Sequence, residues 1–153
     1  MALIKEGSKA PDFTAKDQDG QPITLKQYLG KKVILFFYPK DNTPTCTVEA
    51  CNLRDNYQAL VRKGFVVLGI SSDPEKKHQN FIAKHNLNYP LIADSDLVVH
   101  QLYGTWGDKV LFGKKYKGTL RTTFIIDEKG KILKVIEKVE SKRHSAQILE
   151  ALA

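Results

Sequence analysis

Six consecutive residues, Val33-Ile34-Leu35-Phe36-Phe37-Tyr38, are all apolar or aromatic, and a second such run stands at Phe65-Val66-Val67-Leu68-Gly69-Ile70. Neither run alternates with polar residues, so each reads as a strand buried on both faces of a sheet. Strands of that kind need helices above and below them. From Pro44 onward Val48, Leu53, Tyr57, Leu60 and Val61 fall roughly on one helical face, and Gly64 lies past its end.

The rest of the chain continues the alternation. Asp19-Gly20 is a hairpin turn signal between short extended pieces in the Phe13 to Leu25 stretch. Thr24 caps a short helix running to Leu29, which Gly30 ends. Ser72-Asp73-Pro74 opens a helix with proline at its first position, running to about His85. Tyr89 to Ile92 is a short extended piece, and Ser95 to Tyr103 is helical. Gly104 to Gly118, rich in glycine and lysine, reads as a loop with little regular structure. Thr122 to Ile126 and Ile132 to Ile136 are strands joined by the turn Asp127-Glu128-Lys129-Gly130, and a last helix covers about Arg143 to Leu152. The order predicts an α/β domain with a mixed central sheet, helices on both faces and an N-terminal hairpin extension, compatible with a thioredoxin-like fold. No repeat, linker or composition break divides residues 1–153, so one domain is expected.

Composition removes several function classes. With 42% hydrophobic and 27% charged residues, the 153-residue chain is neither disordered nor fibrous. Twenty-four Lys and Arg against seventeen Asp and Glu leave a net charge of +7. Acids and bases are interleaved, as in Lys5-Glu6 and Glu137-Lys138, and the single basic cluster Lys114-Lys115-Tyr116-Lys117 is short, so nucleic acid is not the expected partner. No apolar run approaches the ~18–20 residues of a membrane span. The stretch from Met1 to Gly7 lacks a secretory leader's apolar segment, so the expected location is cytoplasmic.

Two cysteines, Cys46 and Cys51, are the chain's whole complement. Two do not make a disulfide scaffold, and with no histidine nearby in sequence they do not make a zinc site. Inert buried thiols and redox chemistry both remain open. If Thr43 caps the helix, Pro44 is its first residue and Cys46 its third, beside free backbone N–H groups and the positive end of the helix dipole. Both favour thiolate over thiol. Five residues apart on an ideal helix, the two Cα atoms stand roughly 8.7 Å apart. A disulfide rarely spans more than about 7 Å. If both cysteines lie on that helix, a bond between them requires it to unwind.

Pro39, Thr43 and Cys46 match the P-x-x-x-T-x-x-C signature of the peroxiredoxins, and the chain resembles their peroxiredoxin Q or bacterioferritin comigratory protein group. The similarity runs in order from Gly7-Ser8-Lys9-Ala10-Pro11-Asp12-Phe13, through Tyr103-Gly104-Thr105-Trp106-Gly107-Asp108-Lys109, to the last helix. Arg121-Thr122-Thr123-Phe124-Ile125-Ile126-Asp127 resembles the family strand whose leading arginine completes the active site. The resemblance implies a thioredoxin-like fold and a thiol peroxidase acting on hydrogen peroxide and organic hydroperoxides. In that scheme Cys46 is oxidised to a sulfenic acid, Cys51 resolves it as an intramolecular disulfide, and thioredoxin or a similar dithiol restores both. Arg121 stabilises the thiolate and polarises the peroxide, Thr43 holds its oxygens, and Pro39 shields the sulfur from water. No metal, haem or flavin is implied, and a monomer suffices.

Two other readings stay open on sequence alone: a thioredoxin-like disulfide oxidoreductase, against which the spacing from Cys46 to Cys51 speaks, and a catalytically silent binding protein of the same fold. Glu49 either orients Arg121 or is merely an acid favoured at a helix start. His78, His85, His100 and His144 are tied to Cys46 by no motif, Trp106 reads as a packing residue, and Asp94 and Asp96 read as helix-start acids.

Overall fold

The computed structural model describes residues 3–153; Met1 and Ala2, the start of the stretch read for a leader, lie outside the described residues. In chain order the strands are β1 (Thr14–Lys16), β2 (Pro22–Thr24), β3 (Lys32–Phe37), β4 (Phe65–Ser71), β5 (Leu91–Ala93), β6 (Trp106–Leu111), β7 (Lys114–Thr119), β8 (Thr122–Ile126) and β9 (Ile132–Ile136). The α-helices are α1 (Pro44–Asp55), α2 (Tyr57–Arg62), α3 (Glu75–His85), α4 (Val98–Tyr103) and α5 (His144–Ala151).

Seven strands form one sheet in the order β2-β1-β5-β4-β3-β8-β9. The two apolar runs, β3 and β4, lie side by side and parallel, with Val33 opposite Val66 and Phe37 opposite Ile70. On its other edge β3 pairs antiparallel with β8, so the sheet is mixed. Alternate residues of β3 enter two separate cores. Ile34 and Phe36 pack with Leu53 of α1, Leu60 of α2, Phe81 of α3 and Ile148 of α5. Val33, Leu35 and Phe37 pack with Val99 and Tyr103 of α4 and with Phe13, Ile23 and Leu25 of the N-terminal segment. Both faces of β3 are dry because both are covered, as its unbroken apolar sequence requires. The β1–β2 hairpin joins the sheet where Lys16 pairs with Ala93.

Several boundaries differ from those expected, each for a local reason. The Gly104 to Gly118 stretch is not a loop. It forms β6 and β7, an antiparallel hairpin that stands apart as its own two-stranded sheet. Its strands are largely exposed, so no core face imprints an alternating pattern. The helix that opens at Pro44 breaks at Asn56, whose side-chain amide donates to the Asn52 carbonyl at 2.8 Å, and resumes as α2. The short helix after Thr24 is a single 3-10 turn, Lys26–Tyr28. Thr24 does cap it, since the Gln27 N–H donates to Thr24 Oγ1 while the Thr24 N–H donates to Gln27 Oε1. Pro74 is the cap of α3 rather than its first residue. The last helix is shorter than expected and follows a 3-10 turn over Ser141–Arg143. No helix among the described residues is long and apolar enough to cross a membrane.

Candidate active site

The chain leaves β3 at Tyr38, crosses the loop Pro39 to Asn42 and enters α1 at Pro44. Thr43 is the cap residue in extended conformation (φ −80°, ψ 151°) and Pro44 occupies the first turn. The Thr47 N–H already donates to the Thr43 carbonyl at 2.9 Å. The Thr43 hydroxyl does not cap the helix; it donates to the Lys40 carbonyl at 2.9 Å, tightening the loop. No side chain caps α1, so its first-turn N–H groups, that of Cys46 among them, remain without intrahelical acceptors. Cys46 therefore sits where the sequence puts it, beside the positive end of the helix.

Arg121 lies between β7 and β8, immediately before Thr122, which pairs with Phe37 at the end of β3. Its Nη2 donates to Cys46 Sγ at 3.2 Å, and its Nη1 donates to Glu49 Oε1 at 2.6 Å. One planar guanidinium thus holds sulfur and carboxylate together, the use for which its fixed fork is suited. Glu49 lies three residues beyond Cys46 on α1 and is wholly buried. Of the two readings of Glu49, the structure supports contact with Arg121. Burial pushes the Glu49 carboxyl up to about 7, outweighing the pull of Arg121 in the other direction. For Arg121, burial works against the charge, but Cys46 and Glu49 more than offset it and hold the guanidinium charged more firmly than usual.

Cys46 is only 1% exposed. Above it opens a cleft of about 780 Å³ whose walls include Pro39, Thr43 and Arg121 on one side and Trp106, Leu111 and Tyr116 of the β6–β7 hairpin on the other. The structure thus gathers Pro39, Thr43, Cys46 and Arg121 at one place. Cys51 is set apart: it is half-buried on the same helix, and both thiols are free. The two residues lie on one continuous helix, on which ideal geometry sets their Cα atoms roughly 8.7 Å apart, beyond disulfide reach.

Nothing in the sequence ties three further side chains to Cys46. Lys109, in β6, donates from Nζ to the Thr119 carbonyl at 3.0 Å, and burial together with Arg121 lowers its pKa. Trp106 packs as expected, edge-on to buried His100 at 5.7 Å, but from β6 rather than from a loop. His144, at the start of α5, is buried behind Glu49, with Nε2 3.6 Å from Glu49 Oε2. Asp94 behaves as expected of a helix-start acid, accepting from the N–H groups of Val99 and His100. Among the described residues no three His, Cys, Asp or Glu side chains group so as to hold a metal ion.

Comparison with known proteins finds a family match and relatives along nearly the whole chain. Residues 7–135 match the model of the AhpC/TSA family. A bcp peroxiredoxin of Coxiella burnetii is 50% identical over 149 residues, covering 97% of this chain and 99% of that protein. Peroxiredoxin Bcp of Bacillus subtilis is 41% identical over 149 residues, covering 97% and 95%. Among solved structures, the bacterioferritin comigratory protein of Xanthomonas campestris, studied as trapped intermediate and ligand complexes for its alkyl peroxide reduction, superposes with a TM-score of 0.85. It is 30% identical and covers 92% of this chain and 89% of its own.

Proposed function

The chain belongs to the AhpC/TSA family of peroxiredoxins, which are thiol-dependent peroxidases, and from that premise we propose that Cys46 is its peroxidatic sulfur and Cys51 the thiol that resolves it. The observation that carries the assignment is the 3.2 Å contact from Arg121 Nη2 to Cys46 Sγ. A guanidinium at that distance stabilises a thiolate and, in the same plane, offers donors to an approaching peroxide.

The thiolate attacks the terminal oxygen of the hydroperoxide along the O–O axis. An S–O bond forms as the O–O bond breaks, the sulfur is oxidised to a sulfenic acid, and the departing alkoxide or hydroxide takes up a proton. Negative charge passes from sulfur to leaving oxygen, a path that fixed donors stabilise most. Arg121 and the Cys46 N–H face that path, Thr43 keeps its oxygen in the cleft, and Pro39 limits water. Hydrogen peroxide needs little of the cleft. Its apolar wall of Trp106, Leu111 and Tyr116 suits the organic part of an alkyl hydroperoxide, the substrate class of the Xanthomonas relative.

Cys51 then condenses with the sulfenic acid, forming the S–S bond and releasing water. Since both cysteines lie on α1, that step unwinds part of the helix. A dithiol, thioredoxin or a protein like it, attacks the disulfide and returns two thiols. All of this takes place within residues 1–153 acting as one domain and one subunit in the cytoplasm, in the service of peroxide removal and redox balance.

Peroxide consumption coupled to thioredoxin, thioredoxin reductase and NADPH tests the scheme. Cys46→Ser abolishes activity. Cys51→Ser loses coupled turnover yet still forms one sulfenic acid per chain, read by mass after one equivalent of peroxide. Turnover retained in Cys46→Ser sinks the assignment. Amide exchange across residues 46–54 speeds up in the disulfide form; equal protection in both redox states removes the unwinding step.

A further inference from the structure

Among the buried side-chain nitrogens and oxygens of the described residues, one stands without a hydrogen-bond partner, Glu49 Oε2. The neighbour facing it is His144 Nε2, at 3.6 Å. Which way the imidazole carries its proton is fixed by the surroundings. Gln147 Oε1 accepts the Glu140 N–H at 2.9 Å, while Gln147 Nε2 donates to the Lys138 carbonyl at 2.8 Å, so the amide cannot flip. His144 Nδ1, 2.9 Å from that same Oε1, must be the donor. A neutral ring with its proton on Nδ1 presents a lone pair at Nε2, to which the Thr123 hydroxyl donates at 2.8 Å. Burial keeps the ring neutral, with its pKa lowered to about 4. Glu49 therefore faces electron density where a carboxylate would want a donor.

We propose that His144 is a positioning residue for the reactive thiolate: its Nε2 lone pair keeps the one exchangeable proton of the Cys46–Arg121–Glu49 cluster on the carboxyl group. The inference rests on Cys46 being the peroxidatic sulfur. Two arrangements of the cluster carry the same charge, thiolate with carboxylic acid and thiol with carboxylate. In the second, Oε2 bears negative charge in a dry site against a ring nitrogen that has no proton to offer it; in the first, Oε2 is neutral and the missing donor costs little. The ring thus tips the balance toward the first, and the charge of Arg121 falls to the sulfur. Other groups near the cluster do not bias the carboxyl end. Tyr89 feels the Glu49 charge but spends its hydroxyl on the Ala50 carbonyl, and Lys109, which donates a hydrogen bond to the Thr119 carbonyl, attracts the Cys46 charge directly, an effect that His144→Gln leaves in place. Glu140 acts on His144 from the far side and favours its protonation, and burial overrides it.

The ultraviolet absorbance of the thiolate reads the balance directly and needs no peroxidase activity. It is followed against pH in a Cys51→Ser background, where one thiol reports. His144→Gln replaces the lone pair with an amide that can donate to Oε2, so the carboxylate is stabilised and the thiolate midpoint rises by about one pH unit, or tenfold less thiolate at a given acidic pH. Adding His144→Gln to Glu49→Gln leaves the midpoint of the latter unmoved, because the carboxyl end of the exchange is gone. Thr123→Val, which keeps the ring and frees its lone pair for Glu49, holds the midpoint or lowers it. The proposal is overturned by an unmoved midpoint in folded His144→Gln, by an equal shift in the Glu49→Gln background, or by a raised midpoint in Thr123→Val. Loss of peroxide reactivity with all three titrations as expected would instead count against Cys46 as the nucleophile.

Discussion

Two of the buried histidines meet a carboxylate in one way and a third meets one in another. Asp41 accepts from the Tyr38 hydroxyl and pairs with His78 Nδ1, both at 2.6 Å, while His78 Nε2 donates to the Ile92 carbonyl at 2.9 Å. Asp94 pairs with His100 Nδ1 at 2.6 Å and accepts two backbone N–H groups, while His100 Nε2 meets Thr119 Oγ1 at 2.9 Å. Each of these carboxylates has both oxygens occupied. The Glu49–His144 pair stands 3.6 Å apart with an oxygen left over. The satisfied pairs lie outside the chemistry and hold its walls: Asp41 anchors the loop carrying Pro39 and Thr43, and His100 anchors the strand end that leads to Arg121. The unsatisfied pair lies inside the site, where a charge must change during reaction. Saturated networks fix geometry, and an incomplete one leaves a proton free to move.

The largest expected effect tests the site itself. Arg121→Ala slows peroxide consumption on the order of 10²–10³-fold, the scale of losing a donor aimed at developing charge. Stability suffers far less, because Glu49, already held near neutrality by burial, takes up a proton instead of standing as an isolated charge. Peroxide assays and thermal melts on one preparation check both halves. Melting lowered as much as by loss of an anchoring pair would erase the distinction between the two regions.

Anchoring pairs give the next effect. Asp94→Ala strands His100 and two backbone N–H groups, a loss of about 3 kcal/mol, which for a chain of this size lowers the melting temperature by roughly 6–12 °C. Glu49→Gln keeps an acceptor for Arg121 and removes the ionisable orphan, so at about pH 7, where the stability linked to the Glu49 proton is mostly lost, its change in stability stays near 1 kcal/mol or less. Equal costs for the two would show that the orphaned oxygen is no different from the satisfied ones.

The sequence carries the anchoring frame unevenly and the reactive cysteine well. Apolar runs of six residues without alternation fit strands covered on both faces, and the Pro44 start places Cys46 in the first turn, so β3, β4, α1 and the thiol's place follow from local pattern. Arg121 enters through family resemblance, since nothing local ties it to a sulfur seventy-five residues away. The β6–β7 hairpin leaves no trace because both of its faces are largely wet, and because its turn places Phe112 and Gly113 at positive φ (52° and 77°) without the Asn-Gly or Asp-Gly that marks such turns. His78, His100 and His144 each find partners on distant elements, a relation that no spacing within the chain encodes.

The smallest expected effect is a near cancellation, and it isolates the third pair. Folding raises the Glu49 pKa from 4.5 to about 7, so the folded state holds that proton more tightly. Its contribution to stability is complete below 4.5 and drains away as pH climbs to 7. Folding lowers the His144 pKa from 6.5 to about 4, so its contribution is complete above 6.5 and drains away as pH falls toward 4. Between 4.5 and 6.5 the two slopes oppose one another, each close to one proton and therefore about 1.4 kcal/mol per pH unit at most. In the wild type they offset. Glu49→Gln removes one, so its stability relative to wild type climbs with pH across that window; His144→Phe removes the other, and its relative stability falls. Thermal melts of the three proteins at matched pH values measure both differences, with the remaining titrating groups common to all. Curves that stay parallel across the window would mean that Glu49 and His144 do not exchange protons there, and the contrast with the two saturated pairs would then reduce to distance alone.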